Sequence, residues 1–282
     1  VNVGSALVSG ALVAVLFHPW DRALYLSVLR GSHFLAWNNF QRPFHGFAQT
    51  AIHRTVSTGS YFPLYDAFYA PVQAIVGAST AVSPRHREPF TSFLVGNMAG
   101  ACNGLAFNWL TAIKYHAWYG GDLSFEEARA RMWRKGQIRP FMNGVCATVA
   151  RDSVFGGVYA MLKVCVFLLC EWCVCLHPRT FPLQVVRGRL TAGIVAGTVA
   201  TVVSAPWNYA RNVKYATEPH HAPPGSYRAI RDLIREARAT GSPGTHLQQK
   251  LRLGWGTARV GVGFAVAHEV YERVRDVFET LR

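Results

Sequence analysis

Apolar residues gather in six stretches of the chain, at approximately 3–20, 50–70, 92–113, 145–170, 190–207 and 256–271, and polar residues fill the intervals. Several stretches reach the ~20 residues that a helix needs to cross a bilayer. None is purely apolar. The second carries His53 and Arg54, and the fourth carries Arg151, Asp152 and Lys163. A charge at membrane depth is costly, so these residues are expected to face a water-filled cavity or the interior of a helix bundle. Small residues recur in the odd stretches: Gly4 and Gly10, then Gly96, Gly100 and Gly104, then Gly188, Gly193 and Gly197. Such residues let membrane helices pack closely. The competing reading of the same pattern is a soluble helical bundle with buried glycines.

The stretches repeat. "HPWDRAL" (18–24) ends the first and "APWNYAR" (205–211) ends the fifth. A proline inside an apolar helix deletes a hydrogen bond and clashes with the preceding turn, so its return is informative. Between them "FNWLTAIKYHAW" (107–118) ends the third stretch and keeps the tryptophan, with Asn108 in the place of proline. Asn108 lies 89 residues after Pro19 and 98 before Pro206. A second register runs downstream. "HGFAQTAIHRTVSTGSYFPLYD" (45–66) matches "NGVCATVARDSVFGGVYAML" (143–162), aligning Gly46 with Gly144, His53 with Arg151 and Tyr61 with Tyr159. "ARVGVGFAVAHEVYE" (258–272) supplies the third copy, with Arg259 and a closing Tyr271–Glu272 that answers Tyr65–Asp66. Its opening glycine is displaced: Arg252 holds the register position, with Gly254 and Gly256 nearby.

Polar amphipathic segments separate the two registers. "SFEEARARMWRKG" (124–136) opens on a Ser cap with acids in its first turn and bases after. "SYRAIRDLIREARATGSPG" (226–244) sets Ile230, Leu233 and Ile234 on one face. Each is predicted to be a helix lying on a membrane surface. The first copy has only "GSHFLAWNNFQRPF" (31–44) here, so its surface helix is short or lost. Self-similarity at a period of about ninety to a hundred residues is the strongest signal in the sequence.

Composition narrows the classes. Only 16% of residues are charged, yet the formal net charge is +14, and the bases sit between the apolar stretches. No single basic face or nucleic-acid motif appears, so nucleic acid is not an expected partner. "CEWCVC" (170–175) has one neighbouring His, His177, whereas structural zinc takes four N/S ligands. No metal site and no cofactor are expected. No triad order, metal spacing or Gly-rich phosphate loop supports an enzyme. The first stretch starts without a basic flank or small-residue cleavage site, so a secretory signal is not expected.

In these features the sequence resembles the mitochondrial carrier family over essentially its whole length. The resemblance implies an all-α membrane protein of the mitochondrial inner membrane, with residues 1–282 forming a single carrier domain. It implies six transmembrane helices in three pseudo-threefold repeats (approximately 1–80, 81–180 and 181–282) with short matrix surface helices. In the family, Pro-x-[Asp/Glu]-x-x-[Lys/Arg] ends each odd helix, and its acids and bases pair to close the matrix side. Here the first copy gives Pro19, Asp21 and Leu24, the second Asn108, Leu110 and Ile113, with Lys114 one place late, and the third Pro206, Asn208 and Arg211. The residues left for a matrix gate predict one pair, Asp21 with Arg211. The opposite, cytoplasmic-side gate has Tyr65 and Asp66 in the first copy and Tyr271, Glu272 and Arg275 in the third, which predicts a pair of Asp66 with Arg275.

Substrate contacts in the family come from the position seven after the even-helix glycine. That assigns His53, Arg151 and Arg259, with Arg54 and Asp152 adjacent. Converging bases favour a small anion through charge-assisted hydrogen bonds. Two functions stay open. One is a carrier that moves a small anionic metabolite by alternating access, surrounded by membrane lipids such as cardiolipin. The other is a transport-silent homologue serving as a structural subunit of a respiratory-chain or ATP-synthase assembly, since both gates have lost residues. The ADP/ATP exchangers' Arg-Arg-Arg-Met-Met-Met run is missing, which disfavours nucleotides.

Overall fold

In a computed structural model of the protein, each apolar stretch lies inside a helix longer than itself. The structure describes residues 2–30, 32–44, 47–119, 123–175, 181–216 and 224–281. Gly46 and His177 lie outside the described residues, as do the side chains of Cys170, Cys173 and Cys175. The long helices are α1 (Asn2–Arg30), α2 (Phe47–Ala78), α3 (Arg87–Tyr119), α6 (Val145–Cys175), α7 (Phe181–Ala216) and α10 (Trp255–Thr280). The shorter ones are α4 (Phe125–Gly136), α5 (Arg139–Met142), α8 (Ser226–Ala239) and α9 (Pro243–Lys250). Even the shortest long helix, 26 residues in α10, extends about 39 Å at ~1.5 Å per residue. Among the described residues, Val3–Leu24, Arg139–Leu169 and Leu190–Tyr215 are both long and apolar enough to cross a membrane.

The long helices form a closed ring. α1 packs on α2, α2 on α3, α3 on α6, α6 on α7, α7 on α10, and α10 returns to α1. Small residues allow the crossings. A Cβ built on Gly96 collides with the carbonyl of Gly156, and one on Gly100 with the carbonyl of Asp152. On α1, a Cβ at Gly10 reaches 2.8 Å from the backbone of Thr55, and on α7 one at Gly197 reaches 2.9 Å from Gly261. The ring presents apolar side chains outward, including Leu12, Leu16, Leu105, Val202 and Val203. Its polar side chains turn inward: His18, Asn103, Asn108, Lys114, Arg211 and Arg259 are all buried. That inside-out distribution suits a lipid exterior, where an outward charge is costly.

The segment helices form as the sequence predicts, with differences. Ser124 caps α4 in a capping box: its hydroxyl accepts from the Glu127 N–H at 3.2 Å, and the Glu127 carboxylate accepts from the Ser124 N–H at 2.8 Å. The Ser124 backbone N–H, helped by its hydroxyl, holds the Glu127 carboxyl below the usual range. α8 buries Ala229, Leu233 and Ala237, while Ile234 points outward. Among the described residues of its segment the first repeat has a single 3-10 turn, Trp37–Asn39.

At the end of the ring that carries α4 and α8, two of the odd helices, α3 and α7, meet. α3 meets α7 through the stacked rings of Tyr115 and Tyr215, 5.2 Å apart. Beside them Asn108 ties four segments together. Its amide donates to the carbonyls of Phe141 at 2.9 Å and Asn143 at 3.2 Å. Its oxygen accepts from Tyr215 Oη at 2.7 Å and Thr148 Oγ1 at 2.8 Å. The residue standing where the other repeats have proline is thus a polar staple of this end. Asn108→Leu is expected to cost about 1–3 kcal/mol, because it strands buried hydroxyls and carbonyls. Thermal unfolding in detergent measures this, and a variant as stable as the parent removes the staple from the account.

Candidate binding cavity

His53 and Arg54 on α2, Arg151 and Asp152 on α6, and Arg259 on α10 all line one cavity of 170 Å³ at the centre of the ring. Their common level follows from the backbone. Gly144 starts the count of seven in a left-handed conformation, φ +77°, and Arg252 takes the same region at φ 57°. The third repeat therefore keeps the turn although it lacks the glycine, and Arg259 stays in register. Seven residues make about two helical turns, so each side chain emerges above its turn on the inner face.

The odd helices add groups that the register did not assign. Lys114 on α3 and Arg211 on α7 line the same cavity, with Asn103, Thr111, Ser57 and Tyr61. Lys114 shows in the sequence only as a base one place late in a broken motif. His53 Nε2 lies 2.9 Å from Thr111 Oγ1. Arg151 pairs with the adjacent Asp152 at 2.5 Å and lies over the Phe155 ring at 5.1 Å.

Asp21 takes partners other than the expected one. Arg259 grips it with Nε 2.6 Å from Oδ1 and Nη2 donating to Oδ2 at 2.7 Å. Arg54 Nη2 reaches Oδ2 at 3.2 Å. The expected Asp21–Arg211 bridge is absent: Arg211 donates to Asn208 on its own helix at 2.6 Å and lies over Tyr115. Ring order explains this. α1 borders α2 and α10, which carry Arg54 and Arg259, whereas α7 is not its neighbour. Pro19 and Pro206 each lie inside their helix, one turn from these polar groups.

The pair expected at the other end is also replaced. Asp66 accepts from Tyr271 Oη at 2.8 Å. Arg275 turns to its own helix, with Glu272 at 2.5 Å and Glu279 at 3.8 Å. Partners one turn away need no interhelical approach, so α10 satisfies the base locally. Tyr65 lines a larger cavity of 520 Å³ at this end, with Glu88, Lys163, His268, Glu269 and Glu272. Lys163 Nζ lies 2.5 Å from His268 Nε2, linking α6 to α10. Tyr61 lines both cavities. Its ring and that of Tyr159 pack on Phe264, at 5.6 and 4.6 Å, and Phe62 and Phe155 join them, so all three even helices contribute aromatics to the layer between the cavities.

The charged residues that line the central cavity are mostly bases. Arg54, Lys114, Arg151, Arg211 and Arg259 line it with Asp152, and Arg54 and Arg259 also pair with Asp21. The Nε atoms of Arg54, Arg151, Arg211 and Arg259 are buried and have no hydrogen-bond partner among the described residues. Buried guanidinium donors are strong sites for carboxylate oxygens.

Comparison with known proteins gives one direction. No protein-family model matches the chain. The chain is similar to a mitochondrial glycine transporter of Eremothecium gossypii, 25% identical over 168 residues that cover 54% of this chain and 54% of that protein. The match thus spans about half the length of each.

Proposed function

We propose that the protein is a carrier of the mitochondrial inner membrane that moves a small carboxylate-bearing metabolite by alternating access. In this reading all six long helices cross the bilayer as three repeats, and Arg151, Arg259, His53 and Arg54 form the binding level. The observation that carries it is the set of buried, unpartnered arginine Nε donors around a cavity of 170 Å³. The similarity to a glycine transporter supports the same size class of solute. Membrane lipids, cardiolipin among them, cover the apolar exterior.

The test is uptake into proteoliposomes of glycine, other small amino acids, monocarboxylates and nucleotides. At least one small carboxylate is expected to enter above protein-free vesicles, and nucleotides are not. Arg151→Ala is expected to lower that uptake tenfold or more, as loss of about 1.4 kcal/mol or more of binding would require. If no carboxylate moves above background, the reading fails.

The replaced gate pairs favour a second reading, a transport-silent subunit of a large inner-membrane assembly. Its test is native size after mild extraction. Co-migration with a respiratory-chain or ATP-synthase band supports it, and migration near the chain's own mass of 31.2 kDa removes it.

A further inference from the structure

Asp21 holds two of the arginines that line the central cavity, Arg259 and Arg54. We propose that it is a built-in competitor: its carboxylate holds Arg259 and Arg54 in the place that the solute carboxylate takes, and binding proceeds by displacing it. The inference rests on the reading of the central cavity as a carboxylate site.

The geometry is that of carboxylate recognition. Arg259 donates Nη2 to Asp21 Oδ2 at 2.7 Å, and its Nε stands 2.6 Å from Oδ1 as an ion pair without forming a second hydrogen bond, so the arginine still has a donor to offer an incoming carboxylate. Arg259 cannot readily turn elsewhere to meet a ligand. Its side chain is 3% exposed and lies over the Phe17 ring at 5.1 Å. Exchange of one carboxylate for another therefore keeps a buried charge paired throughout, whereas opening the pair first leaves both groups uncompensated. Arg54 is the looser member, 26% exposed, with its Nε unpartnered at the cavity wall.

The displaced carboxylate has a destination. Lys114 on α3 is a further base lining the same cavity. When Arg259 and Arg54 hold Asp21, α1 is tied to α10 and α2, its ring neighbours. A solute that takes both arginines releases α1 to a tie across the cavity toward α3. Binding is thereby converted into a change in which helices are held together, the differential contact that any ligand-driven shift requires. The same competition lowers apparent affinity, because only the fraction of molecules with Asp21 displaced is competent.

The test uses the full chain in detergent and formate as the probe, with chloride at equal ionic strength as the reference. Asp21→Ala and Asp21→Asn are titrated alongside the parent, and the thermal unfolding midpoint is followed. Each variant is expected to be stabilised by formate at concentrations tenfold or more below those the parent needs, and chloride is not expected to substitute. A parent and variants with the same formate dependence overturn the proposal. So do variants that respond equally to chloride, which would make the effect one of charge alone. Asp21→Asn keeps the side-chain shape should Asp21→Ala not fold. If both unfold in chloride, extraction in formate is expected to recover them, and no recovery overturns the proposal. The titration needs no transport, so a failed uptake screen with a positive formate result sinks the carrier reading and leaves the competition standing.

Discussion

Arg259→Met is expected to destabilise the protein by about 3–5 kcal/mol, the cost of breaking a buried ion pair from one side. The side chain it removes is 3% exposed and is bound to both oxygens of Asp21, itself 13% exposed. Arg54 remains at 3.2 Å but meets one oxygen only, so it recovers a minor share. The double variant Asp21→Asn, Arg259→Met is expected to regain part of the loss, since the carboxylate is no longer left buried without Arg259, while Arg54, 26% exposed, loses its ion pair. Unfolding of both single variants and the double variant in one detergent gives the coupling directly. A coupling below about 0.5 kcal/mol, the scatter expected for independent sites, would show that the pair contributes little to stability.

Gly100→Val is expected to disrupt the α3–α6 crossing and displace the Arg151–Asp152 pair. A Cβ at Gly100 collides with the backbone carbonyl of Asp152, which has no rotamer with which to evade it, so α6 itself must move. At Gly104 the same added atom comes within 3.0 Å of Asp152 Oδ2. Overpacking of this kind costs about 1–3 kcal/mol and more where backbone blocks relaxation. Gly77→Ala is the control: nothing lies within 4 Å of its added Cβ, and its effect is expected to stay within about 0.5 kcal/mol. Midpoints of thermal unfolding separate the two. Equal stability of Gly100→Val and the parent would mean that α3 and α6 do not cross as closely as described.

The two variants draw on different kinds of information. Gly100 belongs to a set of small residues readable in the odd stretches, and the close crossing is what such residues permit. The Asp21–Arg259 bridge joins residues 238 apart in the chain, and no local pattern pairs them. The resemblance to the carrier motif instead implies Arg211 as the partner of Asp21. The expected partner is wrong because a motif gives residue types along one helix and leaves open which helices stand side by side.

Asn108 and Arg252 make the same point from opposite directions. In the sequence Asn108 is a proline lost, whereas in three dimensions its amide gathers Phe141, Asn143, Thr148 and Tyr215. Arg252 breaks the glycine pattern, yet its backbone adopts the left-handed turn at the equivalent position. The sequence marks Lys163 as a charge that faces inward, but nothing in it names His268 as the group Lys163 meets.

The sequence by itself determined the long helices, the small residues at their crossings and the level of His53, Arg151 and Arg259. Each of these depends on periodicity within a segment or between repeats, which one-dimensional order preserves. The tertiary structure alone decided which charges meet. A buried charge takes the nearest opposite group in space, and proximity is set by ring order and side-chain reach: α1 lies between α2 and α10, so Asp21 belongs to Arg54 and Arg259.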